Sequence, residues 1–160
     1  MSIGVLFVCL GNICRSPTAQ GVFQRLVADA GLDDRIRVDS AGTHDYHPGK
    51  PPDPRSVRAA RRRGYELSAL RARQVRAQDF ADFDYLLAMD ADNHEHLLAL
   101  CPAGREDRVR LFLSFGGDPG VDSVPDPYYG PGEVGFEHVL DLVEAASAGL
   151  LEHLRGELSG

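Results

Sequence analysis

Long apolar runs are missing from this chain of 160 residues: none approaches the ~18 that a membrane-spanning helix needs, so no membrane partner is expected. The first residues, MSIGVLFVCLGN, lack both a positive n-region and a small-residue cleavage site. They are not expected to be a secretory leader, and a cytoplasmic address follows by default. Cysteine is scarce. Cys9, Cys14 and Cys101 make an odd count with no CxxC pair, short of the four ligands of a structural zinc site. No metal and no cofactor are expected. An excess of positive charge is missing too: the formal net charge is −7, which argues against general nucleic-acid binding. Repeats, low-complexity tracts and linkers are also absent. One domain over residues 1–160 is the economical reading, long enough to bury a substantial core.

The charge that is present is unevenly spread. Residues 55–76 hold eight arginines against Glu66, and residues 118–160 hold nine acids against Arg155. The basic stretch reads either as a solvated helix face or as a patch attracting acidic partners.

Strands and helices alternate along the chain. IGVLFV (3–8) is a continuous apolar run, as expected of a parallel strand buried on both faces. Ser16-Pro17 reads as a capping hydroxyl followed by proline at the first helical position. Ala19, Val22, Phe23, Leu26, Val27 and Ala30 then keep helical spacing up to Gly31. RIRVDS (35–40), FDYLLAM (83–89) and VRLF (109–112) are further strands. Helices are expected from Asp53-Pro54 to about Arg63, from Asp90 to about Leu100, and along the apolar face from Phe136 to Leu154. This alternation predicts a parallel sheet with helices on both sides. Such sheets bind ligands beyond the carboxyl ends of their strands, which here means the loops 9–16, 41–53 and 113–133 and the helix start at 90. The 113–133 loop is long enough to need a function.

The loop between the first strand and its helix carries the chemistry. A tight turn opening a helix gathers backbone N–H groups into a concavity, and the helix dipole adds positive charge. Arg15 supplies a planar fork matched to two phosphate oxygens. Cys9 lies at the floor of this cradle, where a positive surrounding favours the thiolate. A nucleotide-binding loop would end in GK[ST], whereas this one ends in CRS, and the dinucleotide glycine fingerprint is missing as well.

CLGNICRSPTA at 9–19 resembles the signature of the low-molecular-weight protein tyrosine phosphatases. The likeness continues through DSAGT (39–43), MD..N (89–93) and DPYYG (126–130), in order and over essentially the whole chain. The resemblance implies a three-layer α/β/α fold whose four-stranded parallel sheet has the order 2-1-3-4, with the phosphate-binding loop after the first strand. It implies hydrolysis of protein phosphotyrosine, with inorganic phosphate as product and competitive ligand. Cys9 would form a phosphocysteine, Arg15 would hold the phosphoryl oxygens, and Asp126 would be general acid and then base. Ser16 would bond the sulfur, while Asn12 and Ser40 would hold a loop that also includes Leu10, Gly11, Ile13 and Cys14. Asp90 would be a helix cap only, or would also hold Arg15 in position. Tyr46 would face Tyr128 and Tyr129 across an aromatic cleft. Cys14 would be a redox partner able to form a disulfide with Cys9, and Cys101 is expected to be core packing. One position departs from the pattern: Ala69-Leu70 stands where members commonly carry a loop-supporting histidine.

Three alternatives share this architecture. A thioredoxin-coupled arsenate reductase needs two further cysteines, and only Cys101 is left. A protein arginine phosphatase tends to carry threonine where Ile13 stands and lacks paired tyrosines after the acid. A non-catalytic phosphotyrosine-binding module or phosphocarrier would have little use for Cys9, Arg15 and Asp126 together.

Overall fold

In the computed structural model, which describes residues 2–116, 120–128 and 133–159, the chain begins in the middle of its sheet. β1 (Ile3–Cys9) is buried at all seven positions, which is why its sequence is apolar without interruption. Its side chains alternate between two cores. Ile3, Val5, Phe7 and Cys9 enter the larger one, whereas Leu6 and Val8 enter the smaller one on the opposite face.

β2 (Ile36–Gly42), β3 (Tyr85–Ala88) and β4 (Val109–Leu111) complete a parallel sheet of order β2-β1-β3-β4, as the resemblance implied. β1 and β2 pair from Ile3 with Ile36 to Cys9 with Gly42, so Cys9 and Gly42 end their strands side by side. The larger core is covered by α1 (Arg15–Asp29), α2 (Pro54–Arg62) and α5 (Val134–Ser159). Phe7 meets Phe23 and Phe112 edge-on there, with ring centroids 5.8 and 4.9 Å apart. The smaller core takes Phe80 of α3 (Asp79–Asp82) and Leu97 of α4 (Ala91–Leu100). No helix among the described residues is long and apolar enough to cross a membrane.

Several expectations need correction. α1 starts at Arg15, and Ser16 does not cap it: the capping position is Cys14, with no side-chain bond, and the Ser16 hydroxyl turns to Cys9. β2 runs two residues past RIRVDS, and β4 ends at Leu111 because Phe112 enters a 3-10 turn, Phe112–Phe115. Short α3 and a second 3-10 turn, Glu106–Arg108, were not anticipated, since neither is long enough to show helical periodicity.

The arginine-rich stretch is largely a solvated face, with Arg58, Arg61, Arg62 and Arg76 half or more exposed, and part of it also pairs with acids of this chain. Arg63 of α2's end reaches Glu137, Asp141 and Glu144 of α5 at 2.9, 2.9 and 2.5 Å. Arg62 pairs with Glu133 and Glu137 at 3.1 and 3.0 Å, and Arg58 with Glu133 at 3.2 Å. Three of the eight arginines thus meet the chain's own acidic run. Water screens these exposed pairs, so the network orients α2 on α5 more than it stabilises the fold.

α5 contains a sharper constraint. A Cβ at Gly149 would collide with the backbone carbonyl oxygen of Phe115. A carbonyl cannot rotate away, so overpacking of roughly 1–3 kcal/mol outweighs the ~0.5–1 kcal/mol that alanine gains over glycine within a helix. Gly156, on the same helix, has open space. Urea unfolding should therefore show Gly149→Ala destabilised and Gly156→Ala unchanged or more stable. The same sign for both variants would contradict this packing.

Candidate active site

At the carboxyl end of β1 the chain turns through residues 10–14 and enters α1. The carbonyls of Cys9, Leu10 and Ile13 face outward and accept from the N–H groups of Thr43, His44 and Asp53 at 2.8, 3.1 and 2.8 Å. The backbone N–H groups of Leu10 to Cys14 donate to no described group, which leaves them for an anion in the hollow. Gly42 lets the loop lie this close to β2, since a Cβ there would stand 2.9 Å from the Leu10 carbonyl oxygen.

Asn12 shapes the turn. It adopts φ 59°, a left-handed conformation that asparagine tolerates better than most residues, and it is buried. Its Nδ2 donates to Ser16 Oγ at 2.8 Å and to Ser40 Oγ at 3.0 Å, while its Oδ1 accepts from the Arg73 backbone N–H at 3.0 Å. Ser16 Oγ lies 3.0 Å from Cys9 Sγ. Because Asn12 already donates to that oxygen, the Ser16 hydroxyl proton is free to point at the sulfur. Its other acceptor, the Ala41 carbonyl, is more distant at 3.4 Å. A hydroxyl donated to sulfur stabilises the thiolate.

Arg15 is 2% exposed, as is Cys9. Its NH1 donates to Asp90 Oδ2 at 2.6 Å and to the Val124 carbonyl at 3.1 Å, and its NH2 lies 3.6 Å from Asp126 Oδ2. Burial alone would push this guanidinium down. Cys9, Asp90 and Asp126 outweigh burial and hold it above its ordinary value, so it is permanently charged. Asp90 performs both roles considered for it: Oδ1 caps α4 by accepting from Asn93 N at 2.8 Å, and Oδ2 holds Arg15. Val124 is a further anchor. Its N–H donates to the Met89 carbonyl at 2.7 Å, which pins the acid-bearing segment to the end of β3.

Cys9, Leu10, Gly11, Ile13, Cys14, Arg15, Tyr46, His47, Asp126 and Tyr128 line one pocket. Asp126 is one-third exposed at its mouth and accepts from the Tyr128 N–H at 3.1 Å. Tyr46, 60% exposed, stacks on His44 with centroids 5.0 Å apart. Across the mouth, Tyr128 is backed by the Arg55 guanidinium, 5.6 Å from its ring centre. His47 sits between the two tyrosines, its ring 6.3 Å from each. Neither His47 nor Val124 was singled out from the sequence. Tyr129 lies outside the described residues. Ser40 supports the loop through Asn12 without lining the pocket, and Cys101 packs against the smaller core as expected. The Cys14 thiol is pushed up to about 12, by burial first and then by Asp53 and Cys9, so it is protonated at neutral pH. Among the described residues no group of histidine, cysteine or carboxylate side chains could hold a metal ion.

A loop that offers N–H groups and a fixed arginine around a cysteine sulfur fits a tetrahedral oxyanion. The model of the family described as low molecular weight phosphotyrosine protein phosphatase matches residues 4–159. The chain belongs to this family. As a member it is a protein tyrosine phosphatase, a phosphoric monoester hydrolase. It is 45% identical to a low molecular weight protein-tyrosine-phosphatase of Streptomyces coelicolor over 165 residues, covering 100% of this chain and 98% of that one. With YfkJ of Bacillus subtilis, of the same description, it shares 41% over 155 residues and 97% of each chain. A crystal structure of protein tyrosine phosphatase from Entamoeba histolytica, with Hepes in the active site, superposes with a TM-score of 0.93. The two are 40% identical, and the match covers 98% of this chain and 99% of that one.

Proposed function

We propose that this phosphatase works through Cys9 as nucleophile, Arg15 as phosphate clamp and Asp126 as general acid and base. What carries this reading is the pairing of a buried sulfur 3.0 Å from the Ser16 hydroxyl with a buried arginine, in one pocket with Asp126. The phosphoryl group of a phosphotyrosine side chain enters the loop and takes bonds from its N–H groups and from Arg15. The Cys9 thiolate attacks phosphorus as the P–O bond breaks, and Asp126 gives its proton to the phenolic oxygen. The resulting carboxylate takes a proton from water, whose oxygen attacks phosphorus. The S–P bond breaks, Cys9 leaves as thiolate, and inorganic phosphate is released. Phosphate fits the same loop, so it is also a competitive ligand.

Selectivity rests on depth and on the walls. Cys9 lines the same pocket as Tyr46 and Tyr128, and a phenyl phosphate, longer than a phosphoserine, would reach the sulfur past the two rings. Ile13 and Tyr128 favour an aryl over a guanidino phosphate. The protein partner is thus one that presents phosphotyrosine. A reducing, cytoplasmic setting suits a nucleophile that must stay a free thiol.

Cys9→Ser should lower turnover of a phosphotyrosine peptide by at least about 10³-fold while the fold persists. Asp126→Asn should lose roughly 10²–10⁴-fold, and less on p-nitrophenyl phosphate, whose phenolate leaves more readily unprotonated. Phosphoserine and phosphoarginine peptides should be poor substrates. Retained activity in Cys9→Ser, a requirement for Mg²⁺, or preference for phosphoarginine would each overturn this assignment.

Cys14 is proposed as the redox partner. Peroxide converts the Cys9 thiolate to a sulfenic acid, and the Cys14 thiol condenses with it, losing water and leaving a disulfide. Because Cys14 is protonated at neutral pH, this closure should be slow and should accelerate with rising pH. Dithiothreitol should restore peroxide-treated wild type but not Cys14→Ser. Equal recovery of the two would remove Cys14 from this role.

A further inference from the structure

The bonds that hold the phosphate loop do not end at Ser40. Its hydroxyl oxygen has two described side-chain partners: Asn12 Nδ2 at 3.0 Å and Gln20 Oε1 at 2.6 Å. Asn12 presents an N–H there, because its Oδ1 is committed to the Arg73 backbone N–H, a group that can only donate. Ser40 therefore accepts from Asn12, and its own proton must go to Gln20. From this geometry we infer that Gln20 is a positioning residue for catalysis: its amide oxygen closes the chain that aims the Ser16 proton at Cys9.

The polarity runs in one direction. Gln20 takes the Ser40 proton, so Ser40 offers a lone pair to one Asn12 N–H. The other Asn12 N–H is thereby held on Ser16 Oγ, and the Ser16 proton is left for the sulfur. Ser16 and Gln20, four residues apart, share one face at the start of α1, and Asn12 in the preceding loop reaches Ser16 through its Nδ2. Asn12, Ser16 and Ser40 are buried polar groups, and this chain of bonds gives each a partner. None of its side chains between Gln20 and Ser16 ionises near neutral pH, so the loop's support carries no titration of its own. The chain also accounts for the departure at Leu70, where a histidine was expected. Support comes instead from the Arg73 N–H at one end and from the Gln20 amide at the other. Arg73 is itself clamped by Asp79 at 3.0 Å and by Asp39 at 3.2 Å.

This inference rests on Cys9 being the nucleophile, and the test separates the two claims. Gln20→Leu keeps bulk but removes the acceptor, whereas Gln20→Glu keeps an acceptor oxygen. Two quantities are read at pH 6: kcat and KM on a phosphotyrosine peptide, and the rate at which iodoacetate alkylates Cys9. Gln20→Leu should lower kcat and the alkylation rate together by about 5–10-fold, the scale of one lost hydrogen bond, with KM changed less. Gln20→Glu should recover most of both, and both variants should keep the wild-type melting temperature. A purely structural role would move Tm and leave the alkylation rate alone. Unchanged kcat and alkylation in Gln20→Leu, or equal losses in both variants, would overturn the role given to Gln20. An inactive wild type, or alkylation away from Cys9, would instead overturn the assignment of the nucleophile.

Discussion

An arginine that never loses its charge is buried beside the nucleophilic sulfur, each of them only 2% exposed. An isolated charge so buried would be expensive, and the carboxylates of Asp90 and Asp126 make it far less so. Much of the local structure serves this balance. Asp90 and the Val124 carbonyl hold the guanidinium, the Ser16 hydroxyl faces the sulfur, and loop N–H groups fill the space between. A phosphoryl dianion entering this hollow finds donors already in place. That removes the reorganisation that water would need to perform at the moment of reaction.

The sheet accounts for how so many groups converge. β1 and β2 end together at Cys9 and Gly42, and β3 ends beside them at Ala88, just before Met89, whose carbonyl accepts from the Val124 N–H. The loops that follow these strands therefore meet at one edge. Opposite charges set how α2 meets α5: Arg58, Arg62 and Arg63 reach Glu133, just before α5, and Glu137 and Glu144 on it.

Groups that act through side chains in a spaced motif were legible in the sequence. Cys9 and Arg15 stood out by their place in the turn between a strand and a helix, Asp126 through the DPYYG motif, and β1 because seven buried positions leave no room for polar residues. Groups that act through the backbone left no trace. The Val124 carbonyl and the Arg73 N–H are the same in every residue, and only the fold brings them to Arg15 and Asn12. The arginine run was visible but its partners were not, since they lie some 75 positions away and only the docking of α2 on α5 identifies them. Ser16 drew two readings: the helix cap, from its place before proline, fails, whereas the bond to the Cys9 sulfur, implied by the resemblance, is present. His47 and Gln20 had signals that could have been followed: one adjoins Tyr46 in a ligand-facing loop, and the other lies one helical turn beyond Ser16 on the same face of α1.

The central claim is that phosphorus is transferred to Cys9 and to no other atom. It is tested most directly by mixing the enzyme with a phosphotyrosine peptide, quenching within milliseconds and mapping the phosphoryl group by mass spectrometry. The account predicts the added phosphoryl mass on Cys9, transient in the wild type and longer-lived when Asp126 is replaced. A phosphoryl group on Cys14 or on a histidine, or turnover with no labelled enzyme at any time, would contradict it.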